Sequence, residues 1–419
     1  MTPNSWVETP IKALYVRRER RGRSDLPLLS VYRDLGVVPR EGRDDNYNKP
    51  GEDLDTYKAV EPGDLVLNKM KTWQGSLGVS EHEGIVSPAY FVCQQISIAD
   101  SRFLHHLLRS QPLIDEYARR SKGIRPAQWD LPWEEFRVIR VFLPPLSSQR
   151  AIADFLDAET ARIDALIAKK QQTVELLQSS FRALRWTEIS NGVVDLPRSL
   201  VSLPLSVKRW QRTRLKYLVS QPTGGTWGSE PDEDEVNVVC YRVADFDRWL
   251  GTASSDEPTI RSVPSSLLHR LALSAGDLLL EKSGGGEKQP VGFAARYTGS
   301  NTPAVWSNFI ARLRPVPAVD AQFVAHVFAA VYEQSMTVPF IKQTTGIQNL
   351  DIDAFLAQPW AIPPLDEQTE IRRRIDLVHQ RASVLMAKIL FQVHLLAEHR
   401  RALITAAVTG ELDMPGVAA

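Results

Sequence analysis

The chain repeats itself. The segment LPPLSSQRAI at residues 143–152 returns as IPPLDEQTEI at 362–371, and upstream of each copy lies a second match, PGDLVLNKM from Pro62 against AGDLLLEKS from Ala275. A third pair is Gly123 and Ile124 against Gly346 and Ile347, each shortly before its Pro-Pro-Leu. A fourth, weaker pair sets Trp6, Ile11 and Lys12 against Trp210, Leu215 and Lys216. The order is the same in both halves, so one supersecondary unit occurs twice and every residue must be weighed against its counterpart. At ~150 residues per domain, 419 residues also call for two to three domains and not for one core.

Each half reads as strand, Gly-containing loop, more strands, a helix, a closing strand, Pro-Pro-Leu and one long helix. PGDLVLN and AGDLLLE are turns leading into Leu-rich strands. The helix inside the first half is expected at residues 101–121. Its counterpart is expected at 320–337, where Phe323, Val327, Phe328 and Val331 form a core-facing stripe. The predicted fold class is α+β, with two similar modules separated by two long helices that pack as an antiparallel coiled coil with pseudo-twofold symmetry. The expected boundaries are a first module at 1–145, a long helix at 146–191, a linker at 192–209, a second module at 210–364 and a second long helix at 365–412.

The long helices follow from what is missing. Residues 147–191 contain neither glycine nor proline, and the same holds for 366–409. Pro-Pro blocks helix continuation upstream, Ser147 or Asp366 can cap the first free N–H groups, and Gly192 and Gly410 supply left-handed stops. In the second window Ile371, Ile375, Val378, Ala382, Leu385, Ile389, Gln392, Leu396, His399 and Leu403 alternate spacings of four and three, the seam of a coiled coil. Ile152, Leu156, Ile163, Ile167, Val174, Leu177, Phe181 and Leu184 form a looser stripe in the first. Each stripe is the other's simplest partner. Gln392 and His399 then sit where apolar residues are expected, as polar groups that set register.

Apolar residues make up 43% and charged residues 24%, enough hydrophobic area for real cores. Fifty basic residues balance fifty acidic ones, so affinity for a polyanion must come from local patches. Cys93 and Cys240 are the only cysteines, too few for a disulfide framework or a cysteine zinc site, which fits a reducing cytoplasm. The first 18 residues hold no signal-like apolar run, and no stretch of about eighteen apolar residues suggests a membrane span. A soluble cytoplasmic protein is expected.

Catalytic signatures are absent. Ser283 to Lys288 is Gly-rich but lacks P-loop spacing, and no G-x-G-x-x-G, G-x-S-x-G, H-E-x-x-H or C-x-x-C occurs. His105 and His106 lie in a helix-like segment, where one ring is expected buried and the other exposed; an adjacent pair is weak evidence for a metal. Asp44 and Asp45, and the acidic run 232–235, read as solvated loops, since acid–base chemistry needs carboxyls placed across a cleft. Neither catalytic residues nor metal ligands are assigned.

The modules do offer cations, amides and aromatics on turns. Arg17, Arg18, Arg20, Arg21 and Arg23 form one cluster. Lys69, Lys71, Trp73 and Gln74 follow the first GDLVLN strand, and Arg125 and Gln128 follow Gly123. In the second half Lys282, Lys288 and Gln289 occupy the equivalent loop, and Lys342, Gln343, Thr344, Thr345, Gln348 and Asn349 flank Gly346. Lys and Arg neutralise phosphates, while Gln, Asn and Arg bond base edges in the major groove. Taken singly, each is an ordinary surface residue. Their recurrence at equivalent places points to DNA.

Two α+β modules alternating with two long helices, each entered through Pro-Pro-Leu-x-x-Gln, resemble the specificity subunit of type I restriction-modification systems. RRALITAAVTGELD at 400–413 looks like that family's C-terminal signature, and residues 62–90 are similar to its first-module pattern. ALRWTEISNG at 183–192 departs from it, being less apolar than the usual close of the first helix. The resemblance implies that each module is a target recognition domain reading one half of a split, asymmetric DNA site. The helix pair is then a ruler whose length sets the unread gap. It further implies two methyltransferase subunits bringing S-adenosylmethionine, and two ATP-dependent restriction subunits requiring Mg, with no cofactor in this chain. Ile152, Leu156, Ile163, Ile167, Ile371, Ile375, Leu385 and Ile389 would supply the helix seam or partner contacts. Two alternatives are a non-catalytic coiled-coil adaptor that positions protein-binding modules, and an enzyme with an unfamiliar site.

Overall fold

The computed structural model describes residues 6–40, 51, 53–123, 129–190, 210–231, 236–344 and 346–414. The expected linker at 192–209 lies outside the described residues, as do Asp44, Asp45 and 232–235. The chain forms two compact units, residues 1–172 with 389–419, and residues 173–388. The two long helices, α4 (Leu146–Ser190) and α8 (Leu365–Thr409), are each divided between the units.

In the first unit, strands β1 (Val7–Pro10) and β10 (Arg140–Leu143) pair antiparallel, Val7 opposite Leu143, and so bring the module's two ends together at the start of α4. The central sheet joins β2 (Tyr15–Arg17), β6 (Leu65–Asn68), β7 (Leu77–Val79) and β9 (Tyr90–Gln95) in the order β2-β9-β6-β7, all antiparallel. Against it pack α1 (Ser101–Leu108) and α2 (Gln111–Arg120). The sequence predicts one helix here, and the structure breaks it into two at Arg109 and Ser110. Pro112 lacks an N–H for the preceding turn and its ring clashes with it, so a new helix must start with proline in its first turn. A short helix α3 (Trp133–Phe136) precedes β10.

The second unit repeats this frame. Strands β11 (Gln211–Arg214) and β24 (Pro359–Ile362) pair antiparallel, Gln211 opposite Ile362, ahead of α8. Strand β17 (Leu278–Glu281) lies between β19 (Ala294–Tyr297) and β21 (Ile310–Leu313), as β6 lies between β7 and β9. Helix α6 (Ala321–Glu333) replaces α1 and α2, with Phe323, Val327, Phe328 and Val331 buried, and α7 (Ile352–Leu356) replaces α3. The sheet extends through β15 (Thr252–Ala253) and β14 (Phe246–Asp247). A second sheet of β13 (Val236–Tyr241), β16 (Ile260–Val263) and β20 (Ala304–Trp306) shares a core with Leu279, Ala295 and Ile310 of the central sheet, as the pairs β3 (Leu29–Tyr32) with β4 (Gly36–Pro39) and β5 (Lys58–Val60) with β8 (Gly84–Val86) share one with Val66 and Val92 in the first unit.

Three repeated side-chain devices explain why the sequence matches exist. In the turns before β6 and β17, Gly63 and Gly276 take φ of +92° and +97°, which glycine adopts without a Cβ clash. The following Asp64 and Asp277 are buried and accept the N–H of Glu61 and Ser274 at 3.0 and 2.9 Å. The glutamine of Pro-Pro-Leu-x-x-Gln is a clasp: Gln149 accepts the Asp100 N–H at 2.9 Å and donates to the Pro144 carbonyl at 2.8 Å, and Gln368 repeats this with Asp320 and Pro363 at 2.9 Å each. Asp100 and Asp320 are themselves the N-caps of α1 and α6. Finally, His106 Nε2 meets an Asp157 carboxylate of α4 at 2.8 Å, as His326 meets Asp376 of α8 at 2.8 Å.

Within each unit the halves of α4 and α8 run antiparallel. Asp164 pairs with Arg400 at 3.0 Å and Lys170 with Gln392 at 2.6 Å in the first; Glu188 pairs with Arg374 at 2.7 Å and Phe181 stacks on His379 at 4.6 Å in the second. Ile152, Leu156 and Ile163, and on α8 Ile371, Ile375 and Ile389, are buried, each worth about 1.5–3 kcal/mol if fully removed from water. Ile167 is half-buried. Leu385 departs from its predicted place: it is 45% exposed, and Met386 is buried instead. The buried stripe runs through Ala382, Met386 and Ile389, steps of four and three where the sequence pattern has three and four, both of which keep one face of a 3.6-residue helix. Beyond Ile389 the less exposed position is Val393, and Gln392 and His399 are exposed, Gln392 meeting Lys170 at the rim of the helix pair.

Candidate nucleic-acid interface

In each unit the fold joins the loop after the central strand to the segment before the short helix. The first loop leaves β6 at Asn68, whose carbonyl accepts the Lys71 N–H at 2.9 Å and the Thr72 hydroxyl at 2.7 Å. Gly75, at φ +91°, closes it against Ile114 of α2, where a Cβ would come within 2.9 Å of the isoleucine Cδ1. Trp73 donates its indole N–H to the Met70 carbonyl at 3.0 Å and packs on Trp129, ring centroids 4.9 Å apart. The Leu131 N–H donates to the Lys69 carbonyl at 3.2 Å, while Lys69 Nζ pairs with Asp130 at 2.6 Å. Lys69 and Trp73 are thus built into the frame, and Lys71, exposed and without an ion pair among the described residues, is the cation the loop presents. Gln74 is half-buried at the end of the same turn. Arg125 and Gln128 lie outside the described residues.

The second unit makes the same join. The Leu350 N–H donates to the Lys282 carbonyl at 2.8 Å, the counterpart of the Leu131–Lys69 bond. Here the second segment is a complete ribbon: β22 (Ile341–Thr344) and β23 (Ile347–Leu350) turn at Gly346, and β18 (Ser283–Gly284) pairs with β23. Strand alternation sends Gln348 and Leu350 inward and Ile347 and Asn349 outward. Gln348 is 7% exposed and its carbonyl oxygen accepts the Val291 N–H at 3.2 Å, so it organises the loop and does not face a base. Asn349 is exposed and accepts the Ser283 hydroxyl at 2.7 Å. Lys342 pairs with Asp351 at 2.7 Å. Lys288 and Gln289 are exposed on the Gly-rich loop, where Gln289 and Gly286 exchange backbone hydrogen bonds at 3.1 and 3.0 Å. Thr344 lies on β22, and Thr345 is outside the described residues.

The N-terminal arginines are not a free cationic patch. Arg17 and Arg21 pair with Glu19, Arg20 with Glu61 and Asp64, and Arg23 with Asp25. Hydrogen bonds from Arg17 and then Lys58 hold the Glu19 carboxyl down at about 2. Arg17 also stacks over Phe91 at 4.6 Å. Arg18 alone of the five makes no ion pair among the described residues. Glu19 lies within the stretch and Asp25 just beyond it, whereas Glu61 and Asp64, forty-odd positions from Arg20, are partners that the local sequence could not reveal.

His105 and His106 are both engaged, contrary to the expectation of one exposed ring. His105 Nδ1 lies 3.2 Å from the Val79 carbonyl, and desolvation pushes its ring down to about 3. A cavity of about 500 Å³ beside them is lined by Ser80, Glu81, Arg102, His105, His106 and Asp157, with Arg102 held by Asp154 and Asp157. Among the described residues, no group of three His, Cys, Asp or Glu is placed to hold a metal, and no helix is long and apolar enough to cross a membrane.

No family model matches the sequence. Over 329 residues the chain is 21% identical to the type I restriction enzyme EcoKI specificity subunit of Escherichia coli (strain K12), covering 76% of this chain and 68% of that one. It is 20% identical over 331 residues to the StySPI specificity subunit of Salmonella potsdam, with the same coverage. Among solved structures, a chain from work on complex assembly and conformational transition of the type I R-M system superposes with a TM-score of 0.66 at 16% identity, covering 98% of this chain and 100% of that chain. That likeness shows the fold. In sequence the chain is similar to type I specificity subunits, and in architecture to a chain of a type I R-M system.

Proposed function

We infer that this chain is the DNA sequence-specificity subunit of a type I restriction-modification complex, a recognition subunit without catalysis of its own. Each unit reads one half of a bipartite, asymmetric site, and the unread gap between the halves follows the length of α4 and α8. The observation that carries this reading is the repeated join of a Lys-bearing loop to a strand, Lys69 with Leu131 and Lys282 with Leu350, at equivalent places of two modules. Loops and β-ribbons of this size fit the major groove, where Asn and Lys side chains bond base edges and phosphates. Lys71, Lys282, Lys288, Gln289 and Asn349 are the side chains assigned to DNA; Lys69 and Lys342, each held by an aspartate, support them together with Gln348 and Trp73.

Methyltransferase and restriction subunits are the partners, two of each, and they bring S-adenosylmethionine, ATP and Mg. The complex acts in the cytoplasm. On α8, Leu377, Val384 and Leu385 are exposed around Arg381 and Lys388, an apolar face suited to a partner subunit. Assembly of the chain with its methyltransferase subunit, followed by footprinting and base-resolved methylation mapping, tests the reading. Two short protected sequences separated by an unprotected gap are expected. Binding of the assembly without sequence-selective protection would favour the adaptor, and methylation by this chain alone would favour an enzyme.

A further inference from the structure

Arg248 and Trp249 form the tip of the hairpin between β14 and β15, where the Asp247 carboxylate accepts the N–H groups of Trp249 and Leu250 at 2.9 and 2.8 Å. Trp249 leaves its own sheet. Its indole N–H donates to the Ser383 hydroxyl of α8 at 2.9 Å, and its ring meets Phe181 of α4 edge-on at 5.3 Å and His379 of α8 at 4.8 Å. One indole therefore closes over both long helices within the second unit.

Arg248 bonds groups of the module. It donates to a Glu281 carboxylate oxygen at 2.8 Å and to the Tyr332 hydroxyl at 3.2 Å, and it lies 4.7 Å above the Phe293 ring. These two partners hold the two ends of the Gly-rich loop. Glu281 immediately precedes Lys282, and the Tyr332 hydroxyl donates to the carbonyl of Pro290, the residue after Gln289, at 3.0 Å. A continuous series of contacts thus runs from the seam, through adjacent residues of one hairpin, to both feet of the loop that carries Lys282, Lys288 and Gln289.

We propose that Trp249 is a positioning residue for DNA readout, seating the second module's Gly-rich loop on the helix pair through Arg248. The proposal rests on the type I reading and adds to it how one module's reading surface is held. Base readout requires side chains placed to about half an ångström, and a packed aromatic anchor with a satisfied N–H is stiff enough to do that. Trp249 itself touches no base; it acts through Arg248 and Glu281.

The test uses the chain assembled with its methyltransferase subunits and a DNA series in which each base pair of either half is changed in turn. Trp249→Ala is expected to reduce methylation discrimination about tenfold at the second half, with the first half unchanged as an internal control. Trp249→Phe keeps a ring against Phe181 and His379 and should recover most of the loss. Ser383→Ala leaves the packing intact and should lower second-half discrimination by a smaller factor, so the proposal stays exposed if Trp249→Ala does not fold. Equal losses in both halves, or no loss at the second half in either variant, overturn it. If the unaltered complex recognises no bipartite site, the type I reading fails and the proposal with it.

Discussion

His106 and Asp157 join α1 to α4 through a 2.8 Å contact between an imidazole nitrogen and a carboxylate oxygen. Desolvation lowers the pKa of His106 despite that carboxylate, and it does the same to His326 beside Asp376. His105 is pushed down to about 3 and His379 to about 4, both first by burial. All four rings are therefore neutral in the folded chain at pH 7, while in the unfolded chain each takes a proton near pH ~6.5.

The sign follows from linkage. A depressed folded-state pKa contributes stability that is present above the unfolded value and lost as pH falls toward the folded one, because unfolding then takes up protons. The denaturant midpoint should fall steadily from pH 7 to pH 4.5, and His105→Gln should flatten the profile. A midpoint independent of pH across that range would show that burial of these rings is not coupled to folding.

The glutamine clasps give a second prediction. Gln149→Ala leaves the Asp100 N–H and the Pro144 carbonyl without partners and should cost about 1–3 kcal/mol. Gln368→Ala removes the same two bonds in the other unit. Because the sites share no partners, the double variant should lose the sum within about 0.5 kcal/mol. Chemical unfolding monitored in each unit would reveal coupling if the losses did not add.

Side chains assigned to DNA should sort by what they touch. Asn349→Ala should reduce discrimination at one base pair of the second half by ~1–3 kcal/mol and leave other positions alone. Lys71→Ala should weaken all sequences alike and reduce the salt dependence of binding by about one counterion. Gln348→Ala should instead lower stability, since the Val291 N–H loses its acceptor. Salt titrations on matched and mismatched DNA separate these behaviours, and a sequence-selective loss from Lys71→Ala would contradict its assignment.

Exchange of residues 1–145 for the equivalent region of a related chain keeps β1 with its partner β10 and transfers the whole first module. Only the first half of the recognised sequence should change. Methylation mapping that showed both halves altered would refute independent modules.

Leu385 offers a test of partner docking. At 45% exposure it contributes little to the core, so Leu385→Asp should leave the unfolding transition close to that of the parent. If the methyltransferase subunit covers this face of α8, the same change should weaken assembly by tenfold or so, the scale of a buried apolar contact exchanged for an unpaired charge. Unaltered assembly on a sizing column would place the partner elsewhere.

Much of this molecule is legible in the chain alone because the relevant signals are local or repeated. Pro-Pro stops one element and frees the next, Gly-Asp makes the turn into β6 and β17, and forty-odd residues without Gly or Pro permit one long helix. Repetition then shows which of these features matter, since Gly63 with Asp64, and Gln149, each recur at Gly276 with Asp277, and Gln368. What the three-dimensional arrangement decided are the relationships between distant positions. Whether Arg20 is free or bound to Glu61 and Asp64, whether Leu385 or Met386 is buried, and that Gln348 turns inward depend on which surfaces meet. Trp249 carries no pattern at all in the sequence: its role exists only because a hairpin tip meets Ser383, more than a hundred residues later. Short-range sterics and periodicity are written into adjacent residues, whereas burial and ion pairing are set by contacts that exist only once the chain has closed on itself.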